Sequence, residues 1–226
     1  MFRIYRGKKI EIKHQLYNTS MDTQKFFRWS RSKKNLLEIL KDRGYNQEEL
    51  EFSRQALENL SIDCSLDEFK KSLEEVHGDD QLVPKIFLHW SEFPKLGTNL
   101  RSIFNKMELL GVKRAIIVAD ESITSHAKKT LRSIRKTGYH IDVYTLNESQ
   151  INITNHVYVP KHRLCTDEEK KKHTKIYRLK PSQYPEIKRT DPLVRHFGAK
   201  KGDLFEITRK SDTQAGLPAL YYRIVI

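Results

Sequence analysis

Between Lys85 and Tyr144 the chain alternates short apolar runs with helical patterns, an order that few folds accept. Lys85-Ile86-Phe87-Leu88-His89-Trp90 reads as a strand. From Asn99 to Leu110 the residues Leu100, Ile103, Phe104, Met107 and Leu110 recur at helical spacing, with Gly111 behind them to end the helix. Arg114-Ala115-Ile116-Ile117-Val118-Ala119 is a continuous apolar run, the signature of a strand covered on both faces. A second helix runs from about His126 to Lys136 and stops at Gly138, and Ile141-Asp142-Val143-Tyr144 is a third strand. Strands separated by helices are joined by right-handed crossovers into parallel neighbours. The expectation is an α/β domain of three or four strands, largely parallel, with flanking helices.

Upstream, a helix is expected from Asp22 or Thr23, either serving as N-cap, with Phe26, Phe27, Leu36, Leu37 and Leu40 near helical spacing. Lys41 and Arg43 suit its negative end, and Gly44 can take the left-handed position after it. A more polar helical stretch follows, with Leu66, Phe69 and Leu73 as its apolar positions. Residues 1–22 form a basic leader; Gly7 and the alternation of Ile10, Ile12 and Leu16 leave open a short hairpin or an unstructured tail. Near Asn147-Glu148-Ser149-Gln150 the pattern shifts. Beyond it lie more Pro and Gly and β-rich segments around Ile151–Val159, Asp203–Thr208 and Leu220–Ile226. The organisation expected is a first domain over 23–146 and a small α+β, β-rich domain over 147–226.

Charge supplies the first functional hint. Lys and Arg number 42 against 29 Asp and Glu, a formal excess of +13. Such an excess concentrates polyanions near the surface, chiefly nucleic acid or anionic lipid, or it merely solubilises. No apolar run approaches the roughly 20 residues that cross a bilayer, and Met1 to Lys9 lacks an apolar signal core. A soluble, intracellular chain with no membrane partner is expected. Cys64 and Cys165 stand apart, with no CxxC or CxxH spacing, so neither a disulfide framework nor a zinc site is expected. His156 and His162 lack further ligands at suitable spacing, and they read as surface or packing residues.

The second helix of the alternation carries the sharpest local signal. At about 100° per residue, Lys128, Lys129, Arg132, Arg135 and Lys136 share one sector, and Ala127, Leu131 and Ile134 lie on an adjoining one. Lys128 and Lys129 fall in the first turn, where the helix dipole disfavours cations by about 0.3–1 kcal/mol each. Thr124 or Ser125 would cap the same end. A phosphate held there by backbone N–H groups and both lysines would offset the repulsion. A solvated basic face is the plainer alternative.

Four ordered motifs occupy the C-terminal part. They are Ile151-Asn152-Ile153-Thr154-Asn155-His156-Val157-Tyr158-Val159-Pro160-Lys161-His162 followed by Thr166-Asp167-Glu168-Glu169-Lys170; Asp191-Pro192-Leu193-Val194-Arg195-His196-Phe197-Gly198-Ala199-Lys200-Lys201-Gly202-Asp203; Ile207-Thr208-Arg209-Lys210-Ser211-Asp212-Thr213; and Ala215-Gly216 with Tyr222-Arg223-Ile224-Val225. In order and spacing they resemble the assembly domain of the fifth subunit of eukaryotic RNA polymerases, a domain that also forms the archaeal member of the family. Upstream, Lys41-Asp42-Arg43-Gly44-Tyr45 looks like the family's early helix ending. Trp90-Ser91-Glu92-Phe93-Pro94-Lys95-Leu96-Gly97 resembles the segment after the first strand of its jaw domain. Ile123-Thr124-Ser125-His126-Ala127-Lys128 stands where the family has a Thr-Pro-Ser-Ala-Lys turn, with Ser125 and His126 replacing Pro and Ser.

The resemblance implies a non-catalytic subunit without cofactor or metal, from a eukaryotic-type or eukaryotic-virus polymerase. It would work in the nucleus, or in a viral factory or virion. Its jaw would face downstream double-stranded DNA, with Thr124, Ser125, Lys128, Lys129, Arg132, Arg135 and Lys136 as candidate contacts. Its assembly domain would dock on the largest subunit, among other polymerase subunits, through Arg209, Ser211, Asp212, Thr213 and Arg223. The residues themselves also admit a metal-dependent nuclease or a free-standing DNA-binding protein. A nuclease needs clustered carboxylates with a nearby Lys. Glu186-Ile187-Lys188 has that form but lies outside the α/β domain, and no Glu-x-Lys follows Asp120 and Glu121 within that domain. A free-standing DNA-binding protein explains the charge but not the C-terminal motifs.

Overall fold

The structure, a computed structural model, describes residues 24–58, 71–79, 83–91, 100–120, 122–210 and 217–226. Several expectations lie outside these residues: those for the leader, the Asp22 or Thr23 cap, Cys64, Leu66, Phe69, Glu92 to Asn99, Glu121 and Ser211 to Gly216. The chain divides into two compact units, with the break after Ile151.

The first unit is built on a four-stranded sheet of spatial order β1-β2-β3-β4, from β1 (Glu75–His77), β2 (Ile86–Ser91), β3 (Arg114–Ala119) and β4 (His140–Thr145). β2, β3 and β4 run parallel, and β1 is antiparallel to β2. On one face of this sheet lie α1 (24–42) and α2 (Gln47–Glu58), with Trp29, Leu36, Leu40 and Leu50 packed against Ile86, Leu88, Ile116 and Val118. α3 (Leu100–Leu109) and α4 (Ser125–Lys136) make the two crossovers. Successive crossovers of one hand put both helices on the opposite face, where Leu100, Ile103, Met107, Ala127 and Leu131 bury against Ala115, Ile117, Ile141 and Val143. Burial on both sides explains why β3 reads as an unbroken apolar run.

The Lys41–Tyr45 motif has a local physical reading. Gly44 takes φ +88°, and the Tyr45 amide reaches back to the Leu40 carbonyl at 3.1 Å, closing α1 with a Schellman turn. Arg43 bonds Asp142 of β4 at 3.0 Å, and the buried Tyr45 donates its hydroxyl to the Pro84 carbonyl at 2.8 Å. α1 is also tied to the short helix α5 (Leu146–Ser149). Ser32 Oγ meets Ser149 Oγ at 2.7 Å, and Asn35 donates to the Ser149 carbonyl at 3.1 Å. The sequence pattern changes at Asn147, but residues 147–150 side with the first unit.

Two positions depart from the periodic reading. Leu110, expected on the inner face of α3, is exposed, and so is Phe27 on α1. α3 ends at Leu109, Gly111 takes φ +66°, and the Val112 amide bonds the Met107 carbonyl at 2.9 Å. The chain reverses there, and Val112 fills the buried place that continued helix would have given Leu110.

Beneath α1 lies a buried charge. Lys33 is 1% exposed and donates to Glu75 Oε1 at 2.5 Å and to the Ser72 carbonyl at 2.6 Å. His77 sits between Glu75 and Glu49 of α2, at 3.2 and 3.0 Å. Burial alone would raise the Glu75 carboxyl, but the close contact with the His77 ring and the hydrogen bond and charge of Lys33 hold it down at about 2. A carboxyl whose pKa is depressed on folding stabilises above its unfolded value and loses that contribution as pH falls toward its folded one. Stability followed by circular dichroism is therefore expected to fall between the ordinary glutamate range and about pH 2. Glu75→Gln is expected to flatten that slope; an unchanged slope contradicts the assignment.

The second unit holds another four-stranded sheet, β5-β7-β8-β6, from β5 (Lys161–Leu164), β6 (Glu186–Ile187), β7 (Leu204–Lys210) and β8 (Pro218–Val225). β5 and β8 lie antiparallel to β7, and β6 runs parallel to β8. Two further helices, α6 (Asp167–Tyr177) and α7 (Pro192–His196), flank it. Phe205, Ile207 and Val225 pack on one face with Val194 of α7. On the other, Leu204 and Ile224 pack with Tyr184, and α6 is pinned by Lys170 to the Gly202 carbonyl and by His173 to the Tyr184 hydroxyl. The strand expected around Ile151–Val159 is corrected. Asn152 accepts from the Thr154 amide at 3.0 Å and opens a 3-10 turn over Ile153–Asn155, leaving Val157 and Tyr158 exposed; pairing starts at Lys161. A local asparagine turn outcompetes the β-branched pattern there.

Candidate nucleic-acid interface and docking strand

In the first unit the candidate site is built on the N-terminus of α4, which follows β3 at the carboxyl edge of the parallel strands. Open α/β sheets place ligands at that edge. Thr124 is the N-cap: its backbone is extended, and its hydroxyl accepts from the Ala127 amide at 3.2 Å. Ala127 and Leu131 are buried and Ile134 half-buried, which fixes the rotation of the helix. With that rotation set, Lys128, Lys129, Arg132 and Lys136 are exposed, as is Ser125. No acidic residue occupies the first turn, and none of these four cations forms an ion pair among the described residues. The surface thus presents cations beside N–H groups that a helix cannot satisfy internally.

Arg135 is placed differently. It is half-buried, and its guanidinium donates to the Ile141 carbonyl at 2.8 Å, tying the end of α4 to β4. The basic stripe read from the sequence therefore splits into four exposed cations and one structural arginine.

In the second unit, strand register gathers Arg209 and Arg223. Phe205 pairs with Arg223, Ile207 with Tyr221 and Arg209 with Ala219, and paired residues share a face. His162 pairs with Ile207 and joins the same face. The Arg209 guanidinium lies over the Tyr221 ring, 5.4 Å from its centroid. Burial lowers the His162 pKa, partly countered by its bond to the Pro160 carbonyl, and the Arg209 and Arg223 charges lower it further. Ser211, Asp212 and Thr213 lie outside the described residues. His162 and His156 are not brought together: His162 packs on Phe205 and His156 beside Tyr158. No group of three or more potential metal ligands forms among the described residues. Glu186 is exposed on β6 and belongs to no such group.

Sequence reasoning missed Tyr221. It shares its face of β8 with Arg223, and its 49% exposure on that face is the signal.

Residues 151–225 match the family model for the RNA polymerase Rpb5 C-terminal domain. The chain is 31% identical over 215 residues to DNA-directed RNA polymerases I, II, and III subunit RPABC1 of Caenorhabditis elegans, covering 91% of this chain and 99% of that one. The Dictyostelium discoideum subunit of the same name is 33% identical over 189 residues, covering 80% and 89%. DNA-directed RNA polymerase subunit Rpo5 of Pyrococcus abyssi is 51% identical over 79 residues, 35% of this chain but 94% of that one.

Proposed function

The chain belongs to the RNA polymerase subunit 5 family, and from that membership we propose that it is a non-catalytic subunit that docks through its second unit on the enzyme's largest subunit. In this reading the first unit is a jaw that holds downstream duplex DNA by its phosphates, without reading bases. We further place it in the nucleus, on its likeness to eukaryotic polymerase subunits.

The observation that carries the docking assignment is the archaeal match. A relative named as a polymerase subunit, matched over 79 residues that make up 94% of its length, is about the size of the second unit, which points to that unit as the part that joins the enzyme. Arg209, Tyr221 and Arg223 give it a cationic and aromatic face, a composition suited to a partner's carboxylates and backbone carbonyls. Arg209→Glu is expected to lower recovery of the largest subunit with the tagged chain at least about tenfold, through the loss of one charge-assisted hydrogen bond and the added repulsion. Undiminished recovery removes that face from the interface.

The DNA assignment rests on the exposed cations around the Thr124-capped helix end. They face no carboxylate among the described residues, so a phosphate backbone is the complementary partner.

A further inference from the structure

β8 is eight residues long, and its two sides are unequally covered. Along one side it pairs with β7 from Pro218 to Ile224. Along the other, β6 covers only Ile224 and Val225. No described strand lies beside the stretch from Pro218 to Tyr222 on that side.

The register says which backbone groups face the open side. The Ile224 amide bonds the Pro185 carbonyl and the Ile226 amide bonds Ile187, both on the β6 side, whereas the Val225 amide bonds Asp203 on the β7 side. Backbone direction alternates along a strand. Leu220 and Tyr222 therefore point their N–H and C=O groups toward the uncovered edge, and Ala219, Tyr221 and Arg223 spend theirs on β7.

Exposed edges are ordinarily blunted by charge, bulges, internal proline or brevity. Between Pro218 and Tyr222 this edge carries no charged side chain, and Pro218 stands only at its start. Instead Leu217, Leu220 and Tyr221 are exposed, Leu220 by 56%. An apolar, unguarded edge in a chain that works inside a larger enzyme is a template for another strand.

We infer that β8 accepts an extended segment of a neighbouring polymerase subunit as a fifth strand, hydrogen-bonded to the main-chain groups of Leu220 and Tyr222. This rests on the reading that the second unit is the docking unit. The flanking side chains define the occupant. Residues of the added strand on the Tyr221 and Arg223 face meet an aromatic ring and a guanidinium group, and those on the other face meet Leu220 and Tyr222. The segment that fits alternates carboxylate and apolar side chains.

The test uses Leu220→Pro in the full chain. The substitution deletes an N–H aimed at the open edge and leaves every bond to β7 in place, so the unit keeps its fold while its edge loses a donor. Recovery of large polymerase subunits is expected to drop at least about tenfold relative to the unsubstituted chain. Amide exchange supplies a readout independent of any variant: over 218–223, the Leu220 and Tyr222 amides should slow about 100-fold on assembly. If the unsubstituted chain recovers no polymerase, the docking reading itself fails. If it recovers polymerase and neither Leu220→Pro recovery nor edge exchange changes, docking stands and strand addition is overturned. A dimer of the free chain abolished by Leu220→Pro, with polymerase recovery intact, also overturns it, in favour of self-pairing.

Discussion

Arg43→Ala is expected to destabilise the first unit by about 3–5 kcal/mol, the cost of leaving one partner of a buried ion pair alone. Arg43 and Asp142 are 7% and 8% exposed, and their bond of 3.0 Å joins the end of α1 to the edge strand β4. After truncation, Asp142 keeps the His140 ring beside it, with Nε2 at 3.6 Å. Because small domains are stable by only about 5–15 kcal/mol, the variant should unfold at a much lower urea concentration. The double variant Arg43→Met with Asp142→Leu removes both charges and should recover most of the loss, since apolar replacement of a buried pair is often near neutral. A single variant within about 0.5 kcal/mol of the parent contradicts the assignment. The pair matters to function through position. It fixes α1 against the sheet whose other face carries α4.

The second large effect concerns that helix. Reversing Lys128, Lys129 and Arg132 to Glu is expected to weaken polymerase–template binding to a similar degree on any DNA sequence, since phosphate contacts carry no base information. It should also flatten the dependence of log K on log salt by about 0.9 for each phosphate no longer neutralised. Arg135→Gln serves as the contrast. Its guanidinium is spent on the Ile141 carbonyl, so its loss should lower stability and leave the salt slope unchanged. Unchanged affinity and slope in the triple variant remove this face from the DNA interface.

Much of the architecture is legible in the sequence because it depends on periodicity. The three parallel strands and two crossover helices each bury a face whose spacing shows in the residues. The Thr124 cap and the Gly44 turn are legible for the same local reason. α6 carries an overlooked signal: Thr166 and Glu169 form a capping box, the spacing that marks a helix start. Around Ile151 the β-branched pattern misleads, because the Asn152 side chain offers the backbone a competing partner.

Long-range pairing is what the sequence hides. Lys33 looks like any solvated lysine of a helix until Glu75 arrives beneath it from 42 residues away. Arg135 shares a helical sector with four exposed cations and differs only because β4 brings a carbonyl within reach. The open edge of β8 is a difference in length between two neighbouring strands, which exists only once both are paired. Membership in the polymerase family is legible early, since ordered motifs survive where individual contacts cannot be inferred.

The most direct measurement is affinity purification of the tagged full chain from its own cells, with identification of the chains that accompany it. Polymerase subunits, the largest among them in near-equal amount, are the predicted result. Recovery of the chain alone, or with divalent-metal-dependent cleavage of DNA as its only activity, would contradict the account.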